Sequence, residues 1–202
     1  VVLTGTVGSP RLPGAATVTP AALQHPAIVT VAGMNARKGI DELLAAFERI
    51  APSHPAAQLY LVGDGPERAR FEQVARSGAA AARVHFAGFQ RDPMPFLRAA
   101  DVFVLASRRE SFPIVIGEAR TAGCAIVATD VDGVRESLDD GRAGLLVPAR
   151  DPAALAAAID RLLADDALRA RQATAARVGL EHYRVQRMVG ETLALYREFL
   201  AC

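Results

Sequence analysis

The sequence predicts an α/β fold built on a doubly wound parallel sheet, and two observations support that prediction. Six short apolar runs alternate along the chain with stretches of helical periodicity. The runs are apolar throughout rather than at every second residue, which is typical of parallel strands buried on both faces. Strand–helix alternation of this kind implies right-handed crossovers that place helices on both faces of one sheet.

The predicted strands are short and are separated by one helical pattern each. The strands lie at 28–32, 58–62, 83–87, 102–106, 125–129 and 144–147. The helical patterns lie at 40–51, 66–77, 93–100, 113–122 and 133–139. The fourth helix follows a polar loop and opens at Pro113, which suits a first helical turn because its missing N–H would have no partner there.

Three further helices are predicted at 151–165, 167–181 and 185–200. Asp151 and Pro152 form a strong helix opening. The last helix carries apolar residues that must cover another surface, namely Met188, Val189, Leu193, Leu195, Tyr196 and Phe199. We therefore divide the chain into an extended linker (1–26), one domain (27–183) and a C-terminal helix (184–202).

The composition indicates one globular domain without a strongly charged partner. Of the 202 residues, 51% are hydrophobic, which is enough to bury one sizeable core. The 23 basic and 22 acidic residues nearly cancel and are interleaved, so they give no support for a nucleic-acid or membrane-surface partner. No apolar run approaches the roughly 18 residues that a membrane span needs.

Cysteine and histidine usage predicts neither a disulfide framework nor a metal site. Cys124 lies in an apolar stretch before a strand and is predicted to be a buried thiol, whereas Cys202 is the last residue. We expect no disulfide between them, which fits a cytoplasmic, reducing compartment. The four histidines lie far apart and none has a partner at metal-ligand spacing. The chain opens on Val1 without a leader, so we expect a fragment of a longer protein.

Glu110 and Glu118 form the most informative pair because of the segment around them. A strand pattern ends in the polar loop that holds Glu110, and Glu118 follows about a turn and a half into the next helix. The backbone of residues 111–115 lies between them, at a positive helix end that suits an anion. A nucleotide-sugar has hydroxyls on both sides of its phosphates and fits that layout. The alternative is a solvated loop acid and a favourable helix-end charge, worth roughly 0.3–1 kcal/mol.

The loop after the first strand places two cations, Arg37 and Lys38, at the start of a helix. The helix macrodipole disfavours positive charge there. A local rule that is broken without evident compensation indicates function, and an anionic phosphate would supply the compensation. The alternative is a flexible, solvent-facing lysine.

The loops after the second and third strands face the same expected site, because open α/β sheets bind ligands outside the carboxyl ends of their strands. Gly63 allows a ligand or a neighbouring loop to approach closely, although a plain turn capped by Asp64 explains it as well. The loop after the third strand holds Phe89, Gln90 and Arg91, of which Phe89 could equally be a core residue.

The chain from about residue 28 to 183 resembles the C-terminal, donor-binding domain of retaining GT-B glycosyltransferases of family 4, the glycosyl transferases group 1. Each matching segment is weak alone, but the order and spacing of the segments are specific. They lie at 31–33, 37–41, 61–66, 84–88, 107–119, 122–129 and 144–148.

The resemblance implies a Rossmann-like domain that is one half of a GT-B fold, with extra C-terminal helices. The last helix would pack toward an N-terminal domain that also binds the acceptor, which is a glycan, a lipid or a small molecule. The implied reaction transfers a sugar from a nucleoside-diphosphate sugar with retention at the anomeric carbon, without a metal or another cofactor. The location would be cytoplasmic, with the other domain as a route to peripheral attachment at the inner membrane.

The resemblance also assigns roles to the candidate residues. Lys38 would hold the donor diphosphate and stabilise the leaving group, Glu110 would contact sugar hydroxyls, and Glu118 would contact the ribose. The family usually has an arginine after Gly33, where this chain has Met34, and Arg37 is the candidate replacement. The other donor-binding residues implied are Gly33, Gly63, Gln90, Arg91, Ser111, Phe112, Pro113, Ile114 and Val115.

Three other functional classes stay open. A non-catalytic nucleotide-binding or scaffolding module would keep the fold, but the presence of both acids and Lys38 argues against it. A GT-B nucleotide-sugar epimerase is expected to carry different acid and histidine patterns. A nicotinamide-dependent enzyme is the least favoured, because no Gly-x-Gly-x-x-Gly motif follows the first strand.

Overall fold

The computed structural model describes residues 23–180 and 185–200, and a parallel sheet of six strands forms the centre of this part of the chain. Every strand lies within one residue of its predicted bounds, so the predicted doubly wound sheet is confirmed. The strands are β1 (Ala27–Val31), β2 (Gln58–Val62), β3 (Val84–Gly88), β4 (Val102–Leu105), β5 (Ala125–Thr129) and β6 (Leu145–Val147).

The helices that cover the sheet also follow the predicted order. They are α1 (Ile40–Ile50), α2 (Arg68–Arg76), α3 (Met94–Ala99), α4 (Ile114–Ala122), α5 (Val134–Ser137), α6 (Pro152–Ala164), α7 (Asp166–Ala176) and α8 (Val185–Leu200). The prediction that α2 begins at 66 is wrong, because Glu67 holds the loop after β1 instead of entering the helix. The prediction that α7 continues to 181 is also wrong, because the chain turns at 177–178.

The strand order β3-β2-β1-β4-β5-β6 places a topological switch point between β1 and β4. Ile28 of β1 pairs with Leu59 of β2 on one side and with Val102 of β4 on the other. The chain winds outward in opposite directions from these two strands, which leaves a crevice at their carboxyl ends, next to the loops after β1 and β4.

The core explains why the strands are apolar at successive positions. Val102 and Val104 of β4 pack into the layer that contains Phe47 of α1, whereas Phe103 and Leu105 pack into the opposite layer with α4. Because successive strand side chains point to opposite faces, both sets must be apolar when helices cover both faces.

One charged side chain lies in this core and was not predicted. The guanidinium of Arg120 in α4 is fully buried. It donates to the carbonyl oxygens of Ser137 (2.7 Å), Ala176 (2.9 Å) and Val178 (2.6 Å), and to the carboxylate of Asp139 at 2.7 Å. Arg120 therefore joins α4 to α5 and to the end of α7, and its acceptors help to explain why α7 stops at Ala176.

The C-terminal predictions are tested only in part. Cys124 is buried as predicted, and burial raises the pKa of its thiol to about 12. Cys202, residues 1–22 of the predicted linker and the predicted boundary at 183–184 lie outside the described residues. Val189, Leu193, Tyr196 and Phe199 of α8 are exposed. The side chains of Met188 and Leu195 lie outside the described part, and the surface that α8 would cover stays a prediction.

Candidate functional site

A cleft of about 420 Å3 lies at the carboxyl ends of the strands, next to the switch point. It is lined by the ends of β1 and β2, by the loops after β1 to β4 and by the start of α4. It brings together eleven of the thirteen residues predicted for the site, although they come from four separate segments of the chain, one after each of β1 to β4. These are Gly33, Lys38, Gly63, Gln90, Arg91, Glu110, Phe112, Pro113, Ile114, Val115 and Glu118.

The other two predicted residues, Arg37 and Ser111, do not line the cleft. They line a second cavity of about 340 Å3, together with Arg109, Glu110 and Asp132. Glu110 lines both spaces and therefore lies between them. The structure thus separates Arg37 from Lys38, the residue that follows it in the chain.

The loop that carries Lys38 is held from several sides. Residues Ala36–Lys38 form a short 3-10 turn, which the side chain of Asn35 caps by accepting from the Arg37 N–H at 3.1 Å. The carboxylate of Glu67 accepts from the Ala36 N–H at 2.6 Å. On the other side, the Arg108 N–H donates to the Arg37 carbonyl at 2.7 Å. These bonds fix the loop before any ligand binds.

Lys38 and Glu110 form an ion pair in which both side chains are largely withdrawn from solvent. Glu110 also accepts from the Ser107 hydroxyl at 2.7 Å, and its N–H donates to Asp132 at 2.9 Å. The interpretation of Lys38 as a solvent-facing lysine, and of Glu110 as a solvated loop acid, is therefore wrong. The prediction that the positive charge of the Lys38 loop lacks a compensating negative charge is also wrong, because the Glu110 carboxylate supplies that charge.

Glu118 lies in α4 and lines the same cleft as Glu110. It is the fifth residue of the helix, close to the position predicted for it. Burial raises the pKa of its carboxyl above the usual 4.5, and the nearby charge of Asp92 raises it further. Partial burial and the nearby charge of a second acid destabilise the ionised carboxylate in the ligand-free protein. Hydrogen bonds donated by a ligand would stabilise that carboxylate, which suits a binding role for Glu118.

The start of α4 differs from the prediction in one respect. Pro113 is the N-cap, with extended backbone (φ −80°, ψ 97°), and the helix begins at Ile114. Because Pro113 has no N–H, donors from the first turn must come from Ile114 and Val115, both of which line the cleft. The exposed side chains of Phe112 and Ile114 add apolar surface to the cleft edge.

The surrounding structure requires glycine at Gly63 but not at Gly33. Gly63 has a left-handed φ of 137°, and a Cβ there would come within 2.0 Å of the Ala32 carbonyl oxygen, so the fold itself requires glycine. A Cβ at Gly33 would meet no heavy atom closer than 3.5 Å, which is ordinary contact. The surrounding structure would accept a Cβ at Gly33, so the absence of one leaves space open in the cleft.

Three residues after β3 also line the cleft, namely Phe89, Gln90 and Arg91. Phe89 is 43% exposed and lines the cleft, so the alternative that it is a core residue is wrong. The side-chain amide of Gln90 donates to the Ala87 carbonyl at 3.0 Å, whereas Arg91 is exposed. Met34, at the position where an arginine was expected from the resemblance, is buried in the core and offers no cation.

Four residues that shape the site were missed by sequence reasoning. Ser107 and Asp132 bind Glu110, whereas Glu67 and Arg108 hold the loop of Lys38. Ser107 and Arg108 are close enough to Glu110 in sequence to be suspected from the segment itself. Asp132 and Glu67 follow other strands, and only their position after β5 and β2 could have suggested them.

The chain belongs to the glycosyl transferases group 1 family, whose model matches residues 25–165. The lipopolysaccharide core biosynthesis glycosyltransferase LpsE of Rhizobium meliloti is 37% identical over 148 residues, which cover 73% of this chain and 42% of LpsE. The chain therefore spans less than half of this relative, and the same holds for the other curated relatives compared.

Solved structures agree with the family assignment and locate the domain within it. Sucrose-phosphate synthase from Thermosynechococcus elongatus superposes with a TM-score of 0.78 and 33% identity, covering 87% of this chain and 46% of that protein. The C-terminal domain of a group 1 glycosyl transferase (LpcC) from Francisella tularensis superposes with a TM-score of 0.70 and 25% identity, covering 78% of this chain and 86% of that domain. The predicted resemblance to a GT-B C-terminal domain is confirmed. Of the helices in residues 23–180 and 185–200, none is both long and apolar enough to cross a membrane.

Proposed function

We propose that this chain is the donor-binding half of a glycosyltransferase that moves a sugar from a nucleoside-diphosphate sugar to an acceptor. One observation carries the proposal. One cleft at the switch point is lined by a lysine, by the first turn of a helix and by two carboxylates, Glu110 and Glu118. Cationic groups and hydrogen-bond acceptors that line one cleft complement a ligand with a diphosphate between two hydroxylated rings.

The donor would lie along the cleft in one direction. The diphosphate would meet Lys38 and the N–H groups of Ile114 and Val115, where the helix end favours negative charge. The ribose hydroxyls would donate to Glu118, and the base would lie toward Phe89, Gln90 and Arg91. The transferred sugar would then lie next to Glu110, at the boundary with the second cavity.

The chemistry follows from where charge develops. As the glycosyl bond breaks, the leaving diphosphate gains negative charge, which Lys38 and the helix end would stabilise without a metal. We further propose that the transfer retains the anomeric configuration, as the resemblance to family 4 implies. The acceptor and the other side of the cleft would come from another domain, so we expect this chain alone to bind donor without turnover. A cytoplasmic location remains a prediction.

A thermal-shift panel tests the ligand class directly. UDP, GDP, ADP and their sugars are added singly to the chain, with free glucose as the control. A ligand at ~100 times its dissociation constant adds about 2.7 kcal/mol, which is roughly 5–10 °C for a chain of this size. We expect this rise with at least one nucleoside diphosphate, equally with magnesium or with EDTA, and none with glucose. Transitions that stay within about a degree for every nucleotide would refute the proposal.

Glu118→Gln should weaken nucleotide binding even when the ligand has only one phosphate. A charge-assisted hydrogen bond to the ribose contributes about 1.5–3 kcal/mol, so we expect a loss of roughly ten-fold or more. Isothermal titration with the nucleoside monophosphate measures it, and Glu198→Gln on the exposed face of α8 is the matched control. An unchanged affinity would remove Glu118 from the ligand site.

The same substitution should stabilise the free chain in a pH-dependent way. A carboxyl whose pKa is raised by folding contributes stability in acid, and that contribution is lost as pH rises through the raised pKa. The variant should therefore match the parent well below the usual carboxyl pKa and become more stable than the parent as pH approaches neutrality. Urea melts at acidic and neutral pH measure the difference, and a pH-independent difference would contradict the prediction.

A further inference from the structure

The second cavity differs in character from the cleft beside it. Its lining consists of two arginines, two acids and a serine: Arg37, Arg109, Glu110, Asp132 and Ser111. The cleft, in contrast, has apolar surface from residues such as Val31, Val62 and Phe112. A cavity with polar walls suits a hydrated, hydroxyl-rich ligand group rather than a base or a lipid chain.

The two arginines of this cavity are exposed and have no direct protein partner in the part of the chain that the structure describes. Within residues 23–180 and 185–200, the guanidiniums of Arg37 and Arg109 form no ion pair or hydrogen bond, although two carboxylates line the same cavity. Those carboxylates have other partners: Glu110 pairs with Lys38, and Asp132 accepts from the Glu110 N–H at 2.9 Å. The neighbouring Arg108, by contrast, binds Glu42 through two bonds of 2.8 and 3.0 Å.

Hydrogen bonds between loops fix the backbone segments that carry the side chains of this cavity. The Arg108 N–H donates to the Arg37 carbonyl at 2.7 Å, which joins the loop after β1 to the loop after β4. Asp132 has a left-handed φ of 42° and holds the loop after β5 against Glu110. Three loops therefore present Arg37, Arg109 and Asp132 to one cavity, and a ligand need not organise the loop backbones, although it would still order the exposed arginine side chains.

We propose that the second cavity binds an anionic sugar moiety, with its carboxylate or phosphate at Arg37 and Arg109 and its hydroxyls at Asp132 and Glu110. Guanidiniums recognise carboxylates and phosphates through paired N–H donors. This inference rests on the proposed function and narrows it, because the group next to Glu110 is then a negatively charged sugar of the donor or a phosphorylated acceptor. Arg37 consequently binds this anion and not the donor diphosphate predicted for it.

Nuclear magnetic resonance of the 15N-labelled chain tests the cavity without catalysis. The chain is titrated at constant ionic strength with glucuronate, glucose 6-phosphate and neutral methyl glucoside, each to about 10 mM, a range suited to millimolar dissociation constants. We expect saturable shifts from either anion at the Arg37 and Arg109 Nε–H signals and at the amides of Ser111 and Asp132. Tighter binding of glucuronate indicates an acidic donor sugar, whereas tighter binding of glucose 6-phosphate indicates a phosphorylated acceptor.

A charge-matched pair of variants makes the test specific. Arg37→Gln/Arg109→Gln should weaken the preferred anion roughly five-fold or more, whereas Arg98→Gln/Arg171→Gln, which removes the same charge from exposed helix positions, should leave it unchanged. The proposal is overturned if neither anion gives saturable chemical-shift changes, or if both double variants lose the same affinity for the preferred anion. It is also overturned if the shift changes occur at the Gly33 and Gln90 amides instead of at the cavity residues. Adding UDP, GDP and ADP to the same sample tests the donor cleft separately, so failure there alone counts against the proposed function.

Discussion

Arg120→Ala is expected to lower the free energy of unfolding by about 3–5 kcal/mol, as is usual when one partner of a buried charged network is removed. The substitution leaves the carbonyl oxygens of Ser137, Ala176 and Val178 without their guanidinium donor, and the bonds to Ser137 and Ala176 are buried. It also removes the ion pair between Arg120 and Asp139 and creates a cavity below α4. These costs act together because a single side chain holds three segments.

Urea unfolding of the variant and the parent measures the loss, and Arg171→Ala on the exposed side of α7 is the control, expected to change stability by no more than about 0.5 kcal/mol. Arg120→Met separates packing from hydrogen bonding, because it fills much of the volume but donates nothing. We expect it to recover only part of the stability. A loss for Arg120→Ala below about 1 kcal/mol would mean that the buried carbonyls find water or other donors.

The fold could be predicted almost entirely because its main determinants are local. The bounds of β2 and β5 were predicted to the residue, since an apolar run between turn signals is visible in the sequence itself. The errors occur where a tertiary contact decides the outcome. The start of α2 depends on Glu67 binding the loop after β1, and the end of α7 coincides with carbonyls bound by Arg120.

The site could be predicted as a set of residues but not as a set of bonds. The order of strands in an α/β sheet brings the loops after β1 and β4 together, so Lys38 and Glu110 were both expected near one crevice. That they neutralise each other across 72 positions of sequence depends on side-chain reach and burial, which no motif encodes. For the same reason, the sequence could not show that Arg37 and Lys38, adjacent in the chain, line different spaces.

Lys38→Ala should weaken nucleoside diphosphate binding by roughly ten- to hundred-fold, because a charge-assisted hydrogen bond contributes about 1.5–3 kcal/mol. The corresponding nucleoside, which has no phosphate, should bind the variant and the parent equally well. Isothermal titration of both ligands, using the base that gives the largest thermal shift, measures the contrast. Equal losses for the two ligands would mean that Lys38 shapes the loop and does not meet the phosphates.

The ion pair between Lys38 and Glu110 leads to a second expectation, which concerns Glu110. Glu110 competes with the ligand for the Lys38 ammonium, so Glu110→Gln should bind the bare diphosphate several-fold more tightly than the parent while losing the extra affinity that the attached sugar provides.

Lys38→Ala should also destabilise the free chain by about 1–3 kcal/mol, because Glu110 stays buried without its cation. Lys38→Ala/Glu110→Gln should recover most of that stability and still bind diphosphate weakly, since the charge imbalance is gone but the phosphate partner is not restored. A double variant as unstable as Lys38→Ala would show that the lysine stabilises the loop by packing and not through Glu110.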